Sequence, residues 1–90
     1  MDNRKSSRRA IFIDRDGVIN NNRADYVKHW DEFSFLPGSL EGLRNLSVLD
    51  WPVVVISYQS AIGRGLVSAE AVAEINARMV EVVRQEGGRI

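Results

Sequence analysis

The chain has 90 residues, with 12 Lys and Arg against 12 Asp and Glu, and no cysteine. This length suits one small domain, and 44% hydrophobic with 27% charged residues is the balance of a soluble globular protein. Zero net charge carries no nucleic-acid signature, no stretch approaches the length of a membrane span, and the lack of thiols excludes disulfides within these residues and suits a reducing, cytoplasmic compartment.

In chain order, residues 1–9 read as a flexible tail, basic over RKSSRR at Arg4 to Arg9. A solvated terminus is the plain reading and a phosphate-binding arm the sharper one; no apolar signal core follows it. AIFI at residues 10–13 is a continuous apolar run and predicts a short buried strand. Residues 17–38 are polar and loop-like, with Tyr26, Trp30, Phe33 and Phe35 placed to anchor a structured loop. Ser39 follows Pro-Gly and is placed to cap a helix over residues 39–49, in which Leu40, Leu43, Leu46 and Leu49 recur.

PVVVIS at residues 52–57 predicts a second buried strand, with proline tolerated at its first position. Residues 58–68 read as a loop. Ser68 is placed to cap a last helix with Val72, Ile75, Met79, Val82 and Val83 on one stripe, ended by Gly87 and Gly88. Continuous apolar strands separated by amphipathic helices indicate an α/β fold with a parallel sheet and a right-handed crossover. Two strands are fewer than sheets usually hold. An unpaired edge is therefore expected, open to self-association or to a complementing chain.

The chemistry concentrates in IFIDRDG. In open α/β sheets ligands bind beyond the carboxyl ends of the strands. Asp14 and Asp16 stand there, two apart and so expected to face one way, with Gly17 permitting a sharp turn. Neighbouring carboxylates repel unless a cation lies between them or one is protonated. A hard cation such as Mg²⁺ takes oxygen ligands and bridges carboxylates to phosphate. A carboxylate can attack phosphorus, and a second can protonate the leaving alkoxide and then activate water. The alternative is that the acids merely cap a turn. A calcium EF-hand is excluded, because its ligand and glycine places hold Val18 and Ile19. Ser57 ends the second strand, where its hydroxyl can donate to a phosphoryl oxygen. Gln59 and Ser60 offer further donors, and Arg64, between two glycines, suits an anion.

DRDGVIN, DYV at residues 25–27, FLPG at 35–38, VVVISYQSAIGRG at 53–65 and INARM at 75–79, in this order, resemble the haloacid dehalogenase (HAD) superfamily of phosphatases. Within it they resemble the histidinol-phosphatase and heptose 1,7-bisphosphate phosphatase group. The resemblance covers residues 10–90. It implies a Rossmann-like fold and a Mg²⁺-dependent phosphomonoesterase working through an aspartyl-phosphate. Asp14 matches the nucleophile and metal ligand. Asp16 matches the general acid/base, its backbone carbonyl also reaching the metal. Ser57 matches the hydroxyl that steadies the phosphoryl group. Arg23, Asp25 and Tyr26 match one substrate-facing segment, and Tyr58, Gln59 and Ser60 another. Arg15 and Arg64 are read as further substrate contacts. The expected substrate is a phosphorylated sugar such as heptose 1,7-bisphosphate, or histidinol phosphate.

The chain departs from the family in having Tyr58 for the usual asparagine and Ala61 for glycine. The family's next strand, its Cys/His zinc loop, its arginine–lysine pair and its late metal-binding acid would follow residue 90. The resemblance thus implies a truncated, amino-terminal part of such a domain, weak or inactive alone, with no zinc site of its own. The alternative is a non-catalytic remnant or split-protein half that binds phosphate or a partner chain.

Overall fold

The computed structural model describes residues 9–57 and 60–90. Strands β1 (Ile11–Asp14) and β2 (Val53–Ile56) pair in parallel, with Ile11 opposite Val53 and Asp14 opposite Ile56. The ladder runs one residue further at each end. The Ile11 amide donates to the Pro52 carbonyl at 2.8 Å and the Arg15 amide to the Ile56 carbonyl at 2.9 Å. Between the strands lie a 3-10 turn (Trp30–Glu32) and helix α1 (Ser39–Leu46). A short α2 (Ser60–Gly63) and the long α3 (Ala69–Gln85) follow β2. This is the expected small α/β fold, a parallel pair with flanking helices.

One expectation changes. Continuous apolar runs predict strands buried on both faces, yet along β1 and β2 burial alternates. Ile11, Ile13, Val53 and Val55 pack inward, while Phe12, Val54 and Ile56 are 66%, 40% and 49% exposed. The described helices and the aromatic loop cover one face of the pair, and a pleated strand sends alternate side chains to the other. The core is Ile19, Leu43, Val53, Met79 and Val83. Trp30, Phe33 and Phe35 close it as a ring cluster, Trp30 stacked on Phe33 at 4.9 Å and Phe35 edge-on to Phe33 at 5.0 Å. Three of the four aromatic residues expected to anchor the long loop thus pack together in this cluster.

The helix ends follow local rules, with two corrections. Gly38, with φ +84°, is the residue that precedes α1. Ser39 is already helical, and its buried hydroxyl has no partner among the described residues. Nor does α1 reach residue 49. The Leu49 amide turns back three residues to the Leu46 carbonyl, and Leu49 is 42% exposed, so the last leucine adds little burial. Ser68 does cap α3, its hydroxyl accepting from the Ala71 amide at 3.0 Å. At the other end Gly87 takes φ +90° and donates to the Arg84 carbonyl, while Gly88 donates to the Val83 carbonyl at 2.8 Å. That is a Schellman closure, and it brings Gly88 too close to Val83 for a side chain. Of the basic tail, residues 1–8 lie outside the described residues. Arg9 places its guanidinium 5.4 Å from the Trp51 ring centre.

Candidate active site

The parallel register sets two chain ends side by side. Asp14 closes β1 opposite Ile56, and Ser57 is the next residue on the neighbouring strand. Both therefore lie on the carboxyl edge of the sheet, where open α/β folds bind ligands. Asp14 is exposed and has no hydrogen-bond or ion-pair partner among the described residues.

Beyond Asp14 the chain stops being a strand. The Arg15 carbonyl accepts from the amides of Val18, Ile19 and Asn20, and the Gly17 amide donates to the Asn20 carbonyl at 2.8 Å. Gly17 takes φ +88°, a conformation other residues adopt only with strain. Strand alternation therefore ends before Asp16, and the shared direction expected for the two acids does not follow from the backbone. Asp16 is half-buried. Its Oδ1 accepts from Arg15 Nη2 and from Asn20 Nδ2, both at 3.0 Å.

Arg15 departs from its expected role. Its side chain is only 2% exposed, turned inward against α3 and the rings, with Nη1 donating to Asn76 Oδ1 at 2.7 Å. Its guanidinium carbon lies 5.8 Å from the Phe33 ring centre. Two of its nitrogens are thus held by these neighbours, its buried Nε has no partner among the described residues, and the side chain is not open to solvent. Asn20 and Asn76 had no assigned role in the sequence reading. Asn20 closes the quoted DGVIN segment, the one local signal that pointed toward it. Asn76 is brought in by tertiary packing across 61 residues and had no local signal.

The loop residues expected at the substrate form an ion network. Arg23 forks onto Asp25 with two bonds of 3.0 Å. Lys28 Nζ reaches Asp25 at 3.2 Å and Glu32 at 3.3 Å, and Arg23 lies 3.6 Å from Glu32. Two cations and two carboxylates thus balance one another. The Arg23 hydrogen bonds, then Lys28, hold the Asp25 carboxyl down to about 2, and the Lys28 backbone amide lowers Glu32. Bonding to Asp25 likewise raises Arg23. Tyr26, half-buried, is the one non-glycine described residue with positive φ, at 66°. Arg64 is exposed beyond α2. Tyr58 and Gln59 lie outside the described residues, as does the side chain of Ser60.

Among the described residues no group of three or more His, Cys, Asp or Glu is placed to hold a metal ion. The donors available at the strand edge are hard oxygens, the Asp14 carboxylate and the Asp16 carbonyl. Such a set fits Mg²⁺, an ion that keeps several of its waters and is held by one or two carboxylates together with substrate phosphate.

This small α/β fold is shared with solved HAD-like and heptose bisphosphate phosphatases. It superposes with a TM-score of 0.84 and 38% identity on the D,D-heptose 1,7-bisphosphate phosphatase from B. bronchiseptica complexed with magnesium and phosphate, covering 90% of this chain and 45% of that one. It is 39% identical over 84 residues to the D-glycero-beta-D-manno-heptose-1,7-bisphosphate 7-phosphatase of Pseudomonas aeruginosa, 93% of this chain and 47% of that protein. It is also 37% identical to the corresponding alpha-heptose enzyme of Mycobacterium tuberculosis, over 87% of this chain and 42% of that protein. The chain thus spans about half the length of the curated relatives it matches. No protein-family model matches it. No helix among the described residues is long and apolar enough to cross a membrane.

Proposed function

We propose that residues 10–90 are the nucleophile-bearing, amino-terminal part of a phosphatase that removes the 7-phosphate from a heptose 1,7-bisphosphate. The observation that carries this reading is the register of β1 on β2, which sets Asp14 beside the Ser57 position at the carboxyl edge of the sheet. The phosphatase names of the relatives support it, and they favour a heptose bisphosphate over histidinol phosphate.

In this reading an oxygen of Asp14, exposed and free of partners among the described residues, attacks phosphorus. The phosphorus–oxygen ester bond breaks, and Asp16 gives its proton to the departing alkoxide. Asp16 then takes a proton from water, whose oxygen attacks the aspartyl-phosphate and releases phosphate with Asp14 restored. Ser57 holds a phosphoryl oxygen, and Arg64 draws the second phosphate. When bound by Asp14 and the Asp16 carbonyl, Mg²⁺ offsets the negative charge between carboxylate and phosphate. A phosphorylated sugar as substrate suits a cytoplasmic enzyme.

The test uses the polypeptide that carries these residues in its full length, with heptose 1,7-bisphosphate and a phosphate-release assay. Turnover that needs Mg²⁺ and is lost in Asp14→Asn is the expected result; undiminished turnover in Asp14→Asn removes the assigned nucleophile.

The bare face of Phe12, Val54 and Ile56 favours a second reading, in which the 90 residues act as one half of an assembly. Contiguous exposed apolar side chains on a sheet face mark an interaction surface. A second polypeptide or a second copy covering it is compatible with the catalytic reading, since this face lies away from the described helices.

A further inference from the structure

The Asp16 carboxylate is held from two sides, and one of the holders reaches across the fold to α3. Arg15 donates Nη2 to Asp16 Oδ1 and Nη1 to Asn76 Oδ1, so its planar fork spans the catalytic loop and the long helix. Asn20, fully buried, donates Nδ2 to the same Oδ1 of Asp16 and to the Asn21 carbonyl. Both bonds described for Asp16 fall on Oδ1, and Oδ2 has no partner among the described residues. A guanidinium has five fixed donors and no torsional freedom within its plane. Anchoring one end on Asn76 therefore fixes the direction of the other.

We propose that Arg15, Asn20 and Asn76 are positioning residues for Asp16, a clamp that aims one carboxylate oxygen at the leaving group. The clamp rests on the reading of Asp16 as general acid. Proton transfer demands a donor within hydrogen-bond reach of the departing oxygen, and a displacement of about 1 Å costs up to about 100-fold. Asn76 is the informative member. Its described side-chain bond is to Arg15 alone, and it is half-buried on a helix, where alanine is well tolerated.

The test compares two substrates in the full-length polypeptide. A sugar phosphate leaves as a poor alkoxide and needs the acid; p-nitrophenyl phosphate leaves readily and needs it far less. Asn76→Ala is expected to lower kcat/KM for heptose 1,7-bisphosphate about 10- to 100-fold and to lower that for p-nitrophenyl phosphate much less. Asn76→Asp, which keeps an acceptor for Arg15, is expected to restore most of the loss. Equal losses on both substrates, or no loss on either, overturn the clamp. Asp16→Asn separates the two levels of the argument. If it abolishes sugar-phosphate turnover while Asn76→Ala behaves as wild type, the clamp alone fails. If Asp16→Asn retains full turnover, the acid assignment fails and the clamp with it.

Discussion

Ile19 and Phe12 exchange the ranks that hydrophobicity would assign them. Phe12 is the largest side chain in β1 and sits inside an apolar run; Ile19 lies in a polar loop. Yet Ile19 is 1% exposed and Phe12 is 66% exposed. Ile19→Ala removes three carbons of buried side chain. At about 0.8 kcal/mol per methylene the transfer loss is about 2.4 kcal/mol, and the cavity left behind places the total within about 2–5 kcal/mol. Phe12→Ala forfeits only the buried third of a ring whose full burial is worth about 1.5–3 kcal/mol, so about 0.5–1 kcal/mol. A 90-residue domain holds in total roughly 5–13 kcal/mol. Ile19→Ala thus removes a large share of it and Phe12→Ala a small one. Guanidinium unfolding of the 90-residue chain followed by circular dichroism measures both. The expected result is a large fall in midpoint for Ile19→Ala and a small one for Phe12→Ala, each at unchanged slope. A Phe12→Ala cost equal to or above that of Ile19→Ala would refute the assignment of the covered face.

Three further outcomes are expected. Because the Asp25 carboxyl is held down to about 2, mainly by Arg23, its contribution to loop stability is complete above the ordinary carboxylate value near 3.8 and is lost as pH falls through about 2. Carboxylate NMR titration should show that low midpoint, and Arg23→Ala should raise it. Ser68→Ala removes the hydroxyl that accepts from the Ala71 amide and should cost about 0.5–2 kcal/mol, read by chemical unfolding. If a second copy covers the exposed face, the 90-residue chain should associate as its concentration rises, and Phe12→Glu should suppress this; a chain monomeric at all concentrations in analytical ultracentrifugation removes the second copy as the occupant of that face.

The parallel order was legible because two β-branched runs flank a helical stripe, a pattern that admits few topologies. The last helix was legible at both ends, since Ser68 and the Gly87–Gly88 pair act through bonds within four or five residues. Errors arose where tertiary context decides. Nothing local tells a buried strand from a half-covered one, so the run at residues 10–13 predicts burial for Phe12 that the fold does not provide. Leu49 continues the leucine spacing, but nothing packs it, and the helix stops at Leu46. The Asp14 and Ser57 edge was legible because strand ends carry it. The Asn76 contact was not, because it joins residues 61 apart.

Arg15 shows why a charge at a site cannot be assigned from its neighbours in sequence alone. An arginine between two aspartates, at the end of a strand, has the composition of an anion contact. The backbone decides otherwise. Once the strand ends at Asp14, the closed turn to Asn20 carries the Arg15 side chain inward, where Asn76, Asp16 and Phe33 meet its guanidinium. The same turn separates two chemically identical acids. Asp14 stays on the open edge without a partner among the described residues, as an attacking oxygen requires. Asp16 is held at one oxygen, as a proton donor requires if it is to meet a departing atom in one place. In the proposed reading a nucleophile and an acid are thereby distinguished by tethering rather than by residue type, and the tether is the cation that the sequence had offered to the substrate.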